Sequence, residues 1–265
     1  MSKILNICIG HKPFPAQYRH YFDYMLSPFP ISEGSQFVVV YDKLFGENGA
    51  SLSEYAQLFW LLQNLDRFIH DETHIRVFQY RKFVSDGQTG LGEACSLRWA
   101  RAIREAQLGA FHHDFARCGS GEMVNTPYRF PNGILGQYGT AHPLEDFMDF
   151  AKFLLQKHIL NTVELSNFLR GEVLIPAGSI GVLTIENFKL IYSVLLKASA
   201  FMSDPSFPAR TGYQRRNMGF LLERLNSYLL LKGISEGTIA RKTGIHMIIS
   251  DDFRIKNTDD LLEAN

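Results

Sequence analysis

The segment Ile4-Leu5-Asn6-Ile7-Cys8-Ile9 is apolar at almost every position and stops at Gly10, a pattern typical of a buried β-strand. Two further runs of the same kind follow, at residues 37–41 (Phe-Val-Val-Val-Tyr) and 75–80 (Ile-Arg-Val-Phe-Gln-Tyr). These three runs decide the fold, because each is long enough for a strand and too short for a helix.

Helical patterns separate the three runs. Residues 17–26 are rich in aromatic side chains and end before Pro28, a residue that stops helices. Ser51-Leu52-Ser53-Glu54 matches a capping box, in which the serine and glutamate side chains satisfy N–H groups of the first helical turn. The order strand, helix, strand, helix, strand predicts a parallel sheet with crossover helices.

The rest of the chain is predicted to be mainly helical. Helical patterns cover residues 91–107, 144–157, 162–169, 186–202 and 216–231; short strands are predicted at 180–185 and 245–249, and a long loop at 117–139. We therefore expect an α/β fold with helices on both faces of a mostly parallel, Rossmann-type sheet and a helical C-terminal half. A single domain over residues 1–250 would be followed by a polar tail at 251–265.

Charge and composition narrow the class of protein. The 265 residues carry 27 Lys+Arg and 27 Asp+Glu, so the net charge is zero, and no nucleic-acid partner is expected. The three cysteines form no CxxC pair, which favours reduced thiols in a cytoplasmic protein. The sequence contains no run of 18 apolar residues, so no membrane-spanning helix is predicted. Peripheral attachment at the inner face of the membrane stays open, as does the oligomeric state.

Six short strings, taken in order, resemble a family of bacterial glycosyltransferases that assemble capsular polysaccharides and exopolysaccharides and were long catalogued as a domain of unknown function. The matching segments are His11-Lys12-Pro13-Phe14, Pro30-Ile31-Ser32-Glu33-Gly34, residues 54–64, residues 79–83, residues 142–147 and residues 213–225. No single string is specific, and the resemblance rests on their order from about residue 4 to residue 231.

The sequence departs from that family in one of the strings. The family carries His-Tyr-Arg-Arg-Tyr, whereas this chain carries Gln79-Tyr80-Arg81-Lys82-Phe83. No role that needs an imidazole is therefore expected at position 79.

The resemblance implies a GT-A-like core and a defined reaction. A hexosyl unit, galactosyl or galactofuranosyl in members of the family, would pass from a UDP-sugar donor to a glycan acceptor, lipid-linked or free. The residues that the matching strings assign to donor binding are His11, Lys12, Gly34, Tyr80, Arg81, Lys82 and His142.

The basic residues among them follow predicted strands. His11 and Lys12 come after the first strand, and Arg81 and Lys82 follow the third. Ligands of open α/β sheets lie outside the carboxyl ends of the strands. Many GT-A enzymes hold a metal at the second place with an Asp-x-Asp motif, but cations at that place stabilise a departing diphosphate directly. We therefore expect no cofactor and no need for a divalent metal; the alternative is that these are solvated residues at a strand exit.

Asp146 and Glu223 are the candidates for the base that activates the acceptor. Pro143 suits a first helical position, which would make His142 the N-cap and place Asp146 in the first turn, where an acid also complements the helix dipole. Arg216 is predicted to share a helix face with Glu223, as either a catalytic pair or a salt bridge.

Other readings of the sequence stay open. The capping box already explains Glu54, which is interpreted as structural or as supporting the site. His112-His113-Asp114 is interpreted as a surface or core-edge cluster and not as a metal site, because adjacent side chains diverge. The alternative functions are a nucleotide-sugar-binding module without turnover and a transferase of acyl or phosphoryl groups.

Overall fold

A computed structural model describes residues 3–30, 33–40, 43–116 and 121–250. The strands are β1 Ile4–Ile9, β2 Tyr24–Ser27, β3 Phe37–Val39, β4 His74–Gln79, β5 Lys82–Ser85, β6 Glu93–Ala94, β7 Ala100–Ile103, β8 Met123–Asn125, β9 Tyr128–Arg129, β10 Val173–Leu174, β11 Gly181–Thr184 and β12 Thr243–Ile249. The α-helices are α1 Lys43–Leu52, α2 Tyr55–Asn64, α3 His112–Phe115, α4 Gly133–Ala141, α5 Leu144–Gln156, α6 Thr162–Arg170, α7 Ile185–Ser199 and α8 Asn217–Ser235. The predicted tail at 251–265 lies outside the described residues, as does Cys118.

The N-terminal part of the sheet is parallel, as predicted. Strand β1 lies between β2 and β4 and is parallel to both, and β3 extends the row beyond β2. Side chains alternate along β1, so that Leu5, Ile7 and Ile9 face the larger core while Cys8 faces a second, aromatic core. Burial on both faces explains why the strand is apolar at nearly every position.

Two local predictions in this part are wrong. Residues 17–26 do not form one helix: a short 3-10 helix, Ala16–His20, is followed by β2, in which Met25 and Leu26 are fully buried. The capping box is also absent, because residues 51–52 end α1 and Ser53 has a positive φ of 57°. Helix α2 begins after Glu54 with no side-chain cap.

The remainder of the sheet is mixed and closes on itself, which corrects the prediction of a mostly parallel sheet. Strands β4, β5, β12, β8 and β11 pair in a ring, in which β12–β8 is parallel and the other four pairs are antiparallel. The direction changes because the chain turns back at residues 80–81, directly after β4, into β5. The result is a small closed barrel, which leaves none of its five strands with a free edge.

Residues 91–139 contain the other corrections. The helix predicted at 91–107 is replaced by β6, β7 and the start of a 3-10 helix, Glu105–Phe111. The loop predicted at 117–139 contains β8, β9 and α4, and its residues 117–120 lie outside the described ranges. Strand β7 pairs parallel to β12 and continues the sheet beyond the barrel.

The helical C-terminal half is confirmed. Helices α5 to α8 lie where they were predicted, and an apolar stripe of α8 (Met218, Leu221, Leu222 and Leu225) is fully buried in the larger core. Among the described residues, short helices cover the opposite face of the sheet over the aromatic core. None of the helices within the described ranges has the length and apolar character needed to cross a bilayer.

Candidate active site

A cavity of about 830 Å³ opens where β1 and β4 end. Gly10, His11 and Lys12 line it immediately after β1, and residues 80–82 line it after β4. Helices α2 and α8 also line it, through residues such as Gln57 and Gly219. The volume lies within the range of sites that enclose small ligands, on the order of 300–1,000 Å³.

Eight of the ten predicted site residues line this cavity. They are His11, Lys12, Tyr80, Arg81, Lys82, His142, Arg216 and Glu223. The other two, Gly34 and Asp146, are not among its lining residues. The structure thus gathers residues that are more than 200 positions apart in the chain into one enclosure.

Gly34 belongs to the turn that leads into β3. Its φ of 126° is a conformation that favours glycine, and its neighbour there is the ring of Phe37. This is a backbone role, and it does not place Gly34 against a ligand in the cavity.

Asp146 is fully buried in the first turn of α5 and is paired with Arg210. Arg210 Nη2 donates to Asp146 Oδ1 at 2.6 Å and to Glu145 Oε1 at 2.8 Å, and Arg210 Nε donates to Asp146 Oδ1 at 3.2 Å. A carboxylate held in this way cannot reach an acceptor in the cavity, so its predicted role as base is corrected. The predicted cap is also shifted: Pro143 is the N-cap of α5, and His142 ends α4.

Positive charge dominates the cavity. Its described lining holds five Lys and Arg side chains and two glutamates, a formal balance of +3 with the histidines neutral, although the whole chain is neutral. The cations are Lys12, Arg81, Lys82, Arg216 and Arg224. Burial, with Arg81 and Arg216 adding to it, lowers the pKa of Lys82 below its usual range, and Glu54 and Glu223 oppose that shift.

The pKa of His11 also responds to these cations. Burial lowers its pKa first, and the neighbouring Lys12, Arg216 and Arg81 lower it further. Its ring meets that of Tyr80 edge-on at 5.2 Å between centroids, and the Arg81 guanidinium lies 5.7 Å from the centroid of Tyr80. The residues that follow β1 and β4 therefore form one cationic group, suited to an anionic ligand.

Sequence reasoning interpreted Glu54 as structural or as supporting the site and did not name it among the site residues, yet it lines the cavity. Its Oε2 accepts from Ser53 Oγ at 2.6 Å and lies 3.8 Å from Arg216 Nη2, and its Oε1 accepts from Gln79 Nε2 at 3.2 Å. Burial alone would raise the pKa of Glu54, but Lys82, the Ser53 hydroxyl and Arg216 hold it below its ordinary value. The signal was present, because the third string of the resemblance begins at Glu54.

Arg216 and Glu223 both face the cavity from the α8 end of the site, as predicted, but they are not partners. Arg216 Nη2 donates to Ser53 Oγ at 2.6 Å, whereas Glu223 Oε2 accepts from Arg224 Nη1 at 3.0 Å. Between them, a Cβ on Gly219 would lie 3.1 Å from the carbonyl oxygen of Leu52. The absence of a side chain at Gly219 thus lets the end of α1 approach α8. This approach places Ser53 beside Arg216.

His142 lines the cavity as a neutral ring. It stacks on Phe220 at 4.0 Å between centroids, and its Nδ1 lies 3.0 Å from Gln214 Oε1. Burial lowers its pKa to about 4, and Arg224 and Arg216 contribute to the shift. At neutral pH His142 therefore offers packing and hydrogen bonding but no charge.

The paired histidines point in different directions, as predicted. His112 packs edge-on against Tyr21, with 5.5 Å between ring centroids, whereas His113 Nε2 lies 2.9 Å from Asp86 Oδ1. Asp86, His113 and Asp114 bring ligand-type atoms within 4.8 Å of one another, but none of the three lines the cavity.

The fold is similar to that of a solved glycosyltransferase. The apo structure of WbbM, described as a bifunctional glycosyltransferase, superposes with a TM-score of 0.71 over 94% of this chain at 13% sequence identity. The chain spans about half (46%) of that longer protein. No protein-family model and no curated protein matches the sequence. The likeness supports a glycosyltransferase-like fold and does not extend to the capsular-polysaccharide family.

Proposed function

We propose that this chain is a glycosyltransferase that moves a hexosyl unit from a UDP-sugar to a glycan acceptor. The observation that carries the proposal is the cavity with a formal charge of +3 at the ends of β1 and β4 in a chain of zero net charge. A nucleoside diphosphate is a ligand that such a cavity would select. The likeness to the fold of a named glycosyltransferase supports it.

The cations would stabilise the leaving group. In the reaction the bond between the sugar C1 and the β-phosphate oxygen breaks, and its electron pair stays on the diphosphate. Arg81, Lys82 and Arg216 are the side chains placed to receive that charge, and hydrogen bonds from charged donors contribute about 1.5–3 kcal/mol each. Glu54 would help to position Arg216, because its Oε2 lies 3.8 Å from Arg216 Nη2.

Glu223 is the proposed base. Within the described residues its one hydrogen bond comes from Arg224, which is itself fixed by Gln137 Oε1 at 2.9 Å and by the Phe220 carbonyl at 3.1 Å. Glu223 would take the proton of the acceptor hydroxyl while that oxygen attacks C1. Glu54 is less suited to this step, because both of its oxygens already accept hydrogen bonds.

We further propose that the reaction needs no divalent metal. The reason is the donor set: the cavity carries five cations, and of its two carboxylates Glu54 is already engaged. The Asp86, His113 and Asp114 group, which has the residue types of a metal site, lies outside the cavity lining.

The finer identity follows from the resemblance of the six strings. It favours galactosyl or galactofuranosyl transfer in the assembly of a bacterial surface polysaccharide, in the cytoplasm or at the inner face of the membrane. A lipid-linked acceptor would fit the same assignment.

The proposal is tested by the release of UDP from UDP-galactose, UDP-galactofuranose and UDP-glucose, measured with a coupled assay. We expect slow release by the wild-type protein from at least one donor and at least tenfold less in Arg216→Ala. Lys189→Ala, which removes an exposed lysine 3.3 Å from Asp66 on the surface, is the matched control. Absence of both UDP release and UDP binding contradicts the proposal.

UDP binding without release would favour the second candidate, a nucleotide-sugar-binding module without turnover. The observation behind that candidate is Gln79, which stands where the family carries histidine and donates its amide to Glu54 at 3.2 Å.

A further inference from the structure

The cavity has an aromatic region besides its cationic one. Trp99 and Phe130 line it, and with Tyr128 they form a trio whose ring centroids lie 5.0–5.6 Å apart. All three rings are partly exposed. Trp99 precedes β7 and Phe130 follows β9, so the trio belongs to the part of the fold beyond the barrel and not to the ends of β1 and β4.

The backbone that carries Tyr128 and Phe130 is held by hydrogen bonds. Strand β9 pairs with β10, and the Phe130 amide donates to the Glu172 carbonyl at 2.8 Å. The Phe130 carbonyl in turn accepts from Gly133, the first residue of α4. Side chains fixed in this way lose little conformational freedom when a ligand packs against them.

Helix α4, which begins beside Phe130, brings a polar group into the same cavity. Gln137, one turn into α4, lines the cavity and accepts from Arg224 Nη2 at 2.9 Å, and Arg224 donates to Glu223 at 3.0 Å. The cavity thus combines aromatic faces with a hydrogen-bonded chain of three polar groups, namely the amide of Gln137, the guanidinium of Arg224 and the carboxylate of Glu223. A pyranose or furanose ring has matching chemistry, with C–H bonds on its faces and hydroxyl groups around its rim.

We propose that Trp99 and Phe130 form the platform on which the acceptor sugar stacks, with Gln137 and Arg224 at its hydroxyl rim. This rests on the proposed function. The donor diphosphate occupies the cationic region, and the acceptor hydroxyl must reach Glu223, so the platform on the Gln137–Arg224–Glu223 side serves the acceptor. The geometry assigns Trp99 to acceptor binding and leaves UDP binding to the residues after β1 and β4.

Saturation-transfer NMR with methyl glycosides of common hexoses, in the presence of saturating UDP, tests the assignment. We expect transfer to the ring C–H protons of at least one glycoside in the wild-type protein, and at least a fivefold loss of that signal in Trp99→Ala and in Trp99→Leu. Leucine keeps apolar bulk but lacks the flat face. Tyr21→Leu is the matched control, since Tyr21 is a partly exposed aromatic residue that does not line the cavity.

Each variant is also titrated with UDP, which reports on folding and on the donor site. Unchanged UDP affinity with the glycoside signal lost supports the proposal. Three results overturn it: no transfer to any glycoside in the wild-type protein, an undiminished signal in Trp99→Leu, or a matching loss of UDP affinity, which would make Trp99 a nucleobase contact. Failure of the proposed function is a different result, namely a wild-type protein that neither binds UDP nor releases it from a donor.

Discussion

Two groups of arginine and carboxylate side chains in this molecule look alike in sequence and differ in structure. In one, Arg210 faces two acids, Asp146 and Glu145, with donor–acceptor distances of 2.6–3.2 Å. In the other, Arg216 shares the single carboxylate of Glu54 with Lys82 and reaches it only at 3.8 Å.

The difference distinguishes charged side chains that are neutralised within the fold from charged side chains that are available to bind a ligand. The Arg210 group is rich in acid and satisfied within the protein, so it needs no ligand and joins α5 to the segment before α8. The Arg216 group keeps an excess of cations inside a cavity, and an excess of one sign in an enclosed space is stabilised by a ligand of the other sign. We therefore propose a catalytic role for the second group and a stabilising role for the first.

The largest effect is expected for Glu223→Gln. Loss of a general base lowers turnover by about 10²–10⁴-fold, while the UDP affinity does not fall, because the exchange removes a negative charge from the cavity and leaves its five cations in place. The measurement is sugar transfer under donor saturation, with UDP binding as the control. Full activity in Glu223→Gln together with inactivity in Asp146→Asn would contradict both the catalytic role of Glu223 and the structural role of Asp146.

The second largest effect is a loss of folding stability at acidic pH, because His142 is buried as a neutral ring in the folded protein. The folded-state pKa of His142 is about 4, below the ordinary value near 6.5, so the unfolded chain binds the proton more readily. The stabilisation is fully present above pH 6.5 and is lost as the pH falls toward 4, by about 3 kcal/mol in the unfolding free energy.

Denaturant unfolding between pH 4 and 7 measures this dependence. His142→Asn should flatten the curve, whereas His70→Asn, which changes an exposed histidine, serves as the matched control. Equal slopes in the wild-type protein and in His142→Asn would show that the pKa of His142 is not lowered in the folded protein.

Lys82→Met ranks third. Removal of one cation from the cavity should weaken UDP binding by about 10–150-fold, the equivalent of about 1.5–3 kcal/mol for a charged hydrogen bond. Calorimetric titration with UDP gives the value, and Lys189→Met is the surface control. UDP affinity that survives in Lys82→Met would remove Lys82 from the donor site.

The smallest effect belongs to the satisfied group. Asp146→Asn replaces one partner of a buried ion pair and should lower the unfolding free energy by about 1–3 kcal/mol. Arg210 is partly exposed, which limits the penalty. Turnover per folded molecule should stay the same, and a loss of turnover without a loss of stability would contradict the structural role of Asp146.

The sequence predicted those parts of the fold that have local patterns. Strands β1 and β4 and helices α5 to α8 are each long and periodic enough to be recognised alone. Because residues directly after a strand must lie at its end, His11, Lys12, Arg81 and Lys82 could be brought together from the sequence.

The barrel could not be predicted, since it depends on distant pairing of short strands. Strand β8 has three residues and pairs with β12, where Val124 lies opposite Thr243. The predictions of Asp146 as a base and of Glu54 in a capping box were wrong for a similar reason. The partner of Asp146 is Arg210, 64 residues away, and the serine-rich stretch before Glu54 imitated a helix cap that the positive φ of Ser53 excludes.

The central claim is that protein cations, without a divalent metal, receive the diphosphate of a UDP-sugar in this cavity. Isothermal titration calorimetry with UDP in excess EDTA, repeated at rising salt concentration, tests it most directly. We expect that UDP binds in EDTA and that its affinity falls as salt screens the cations. UDP binding that EDTA abolishes, or no UDP binding at any salt concentration, would contradict it.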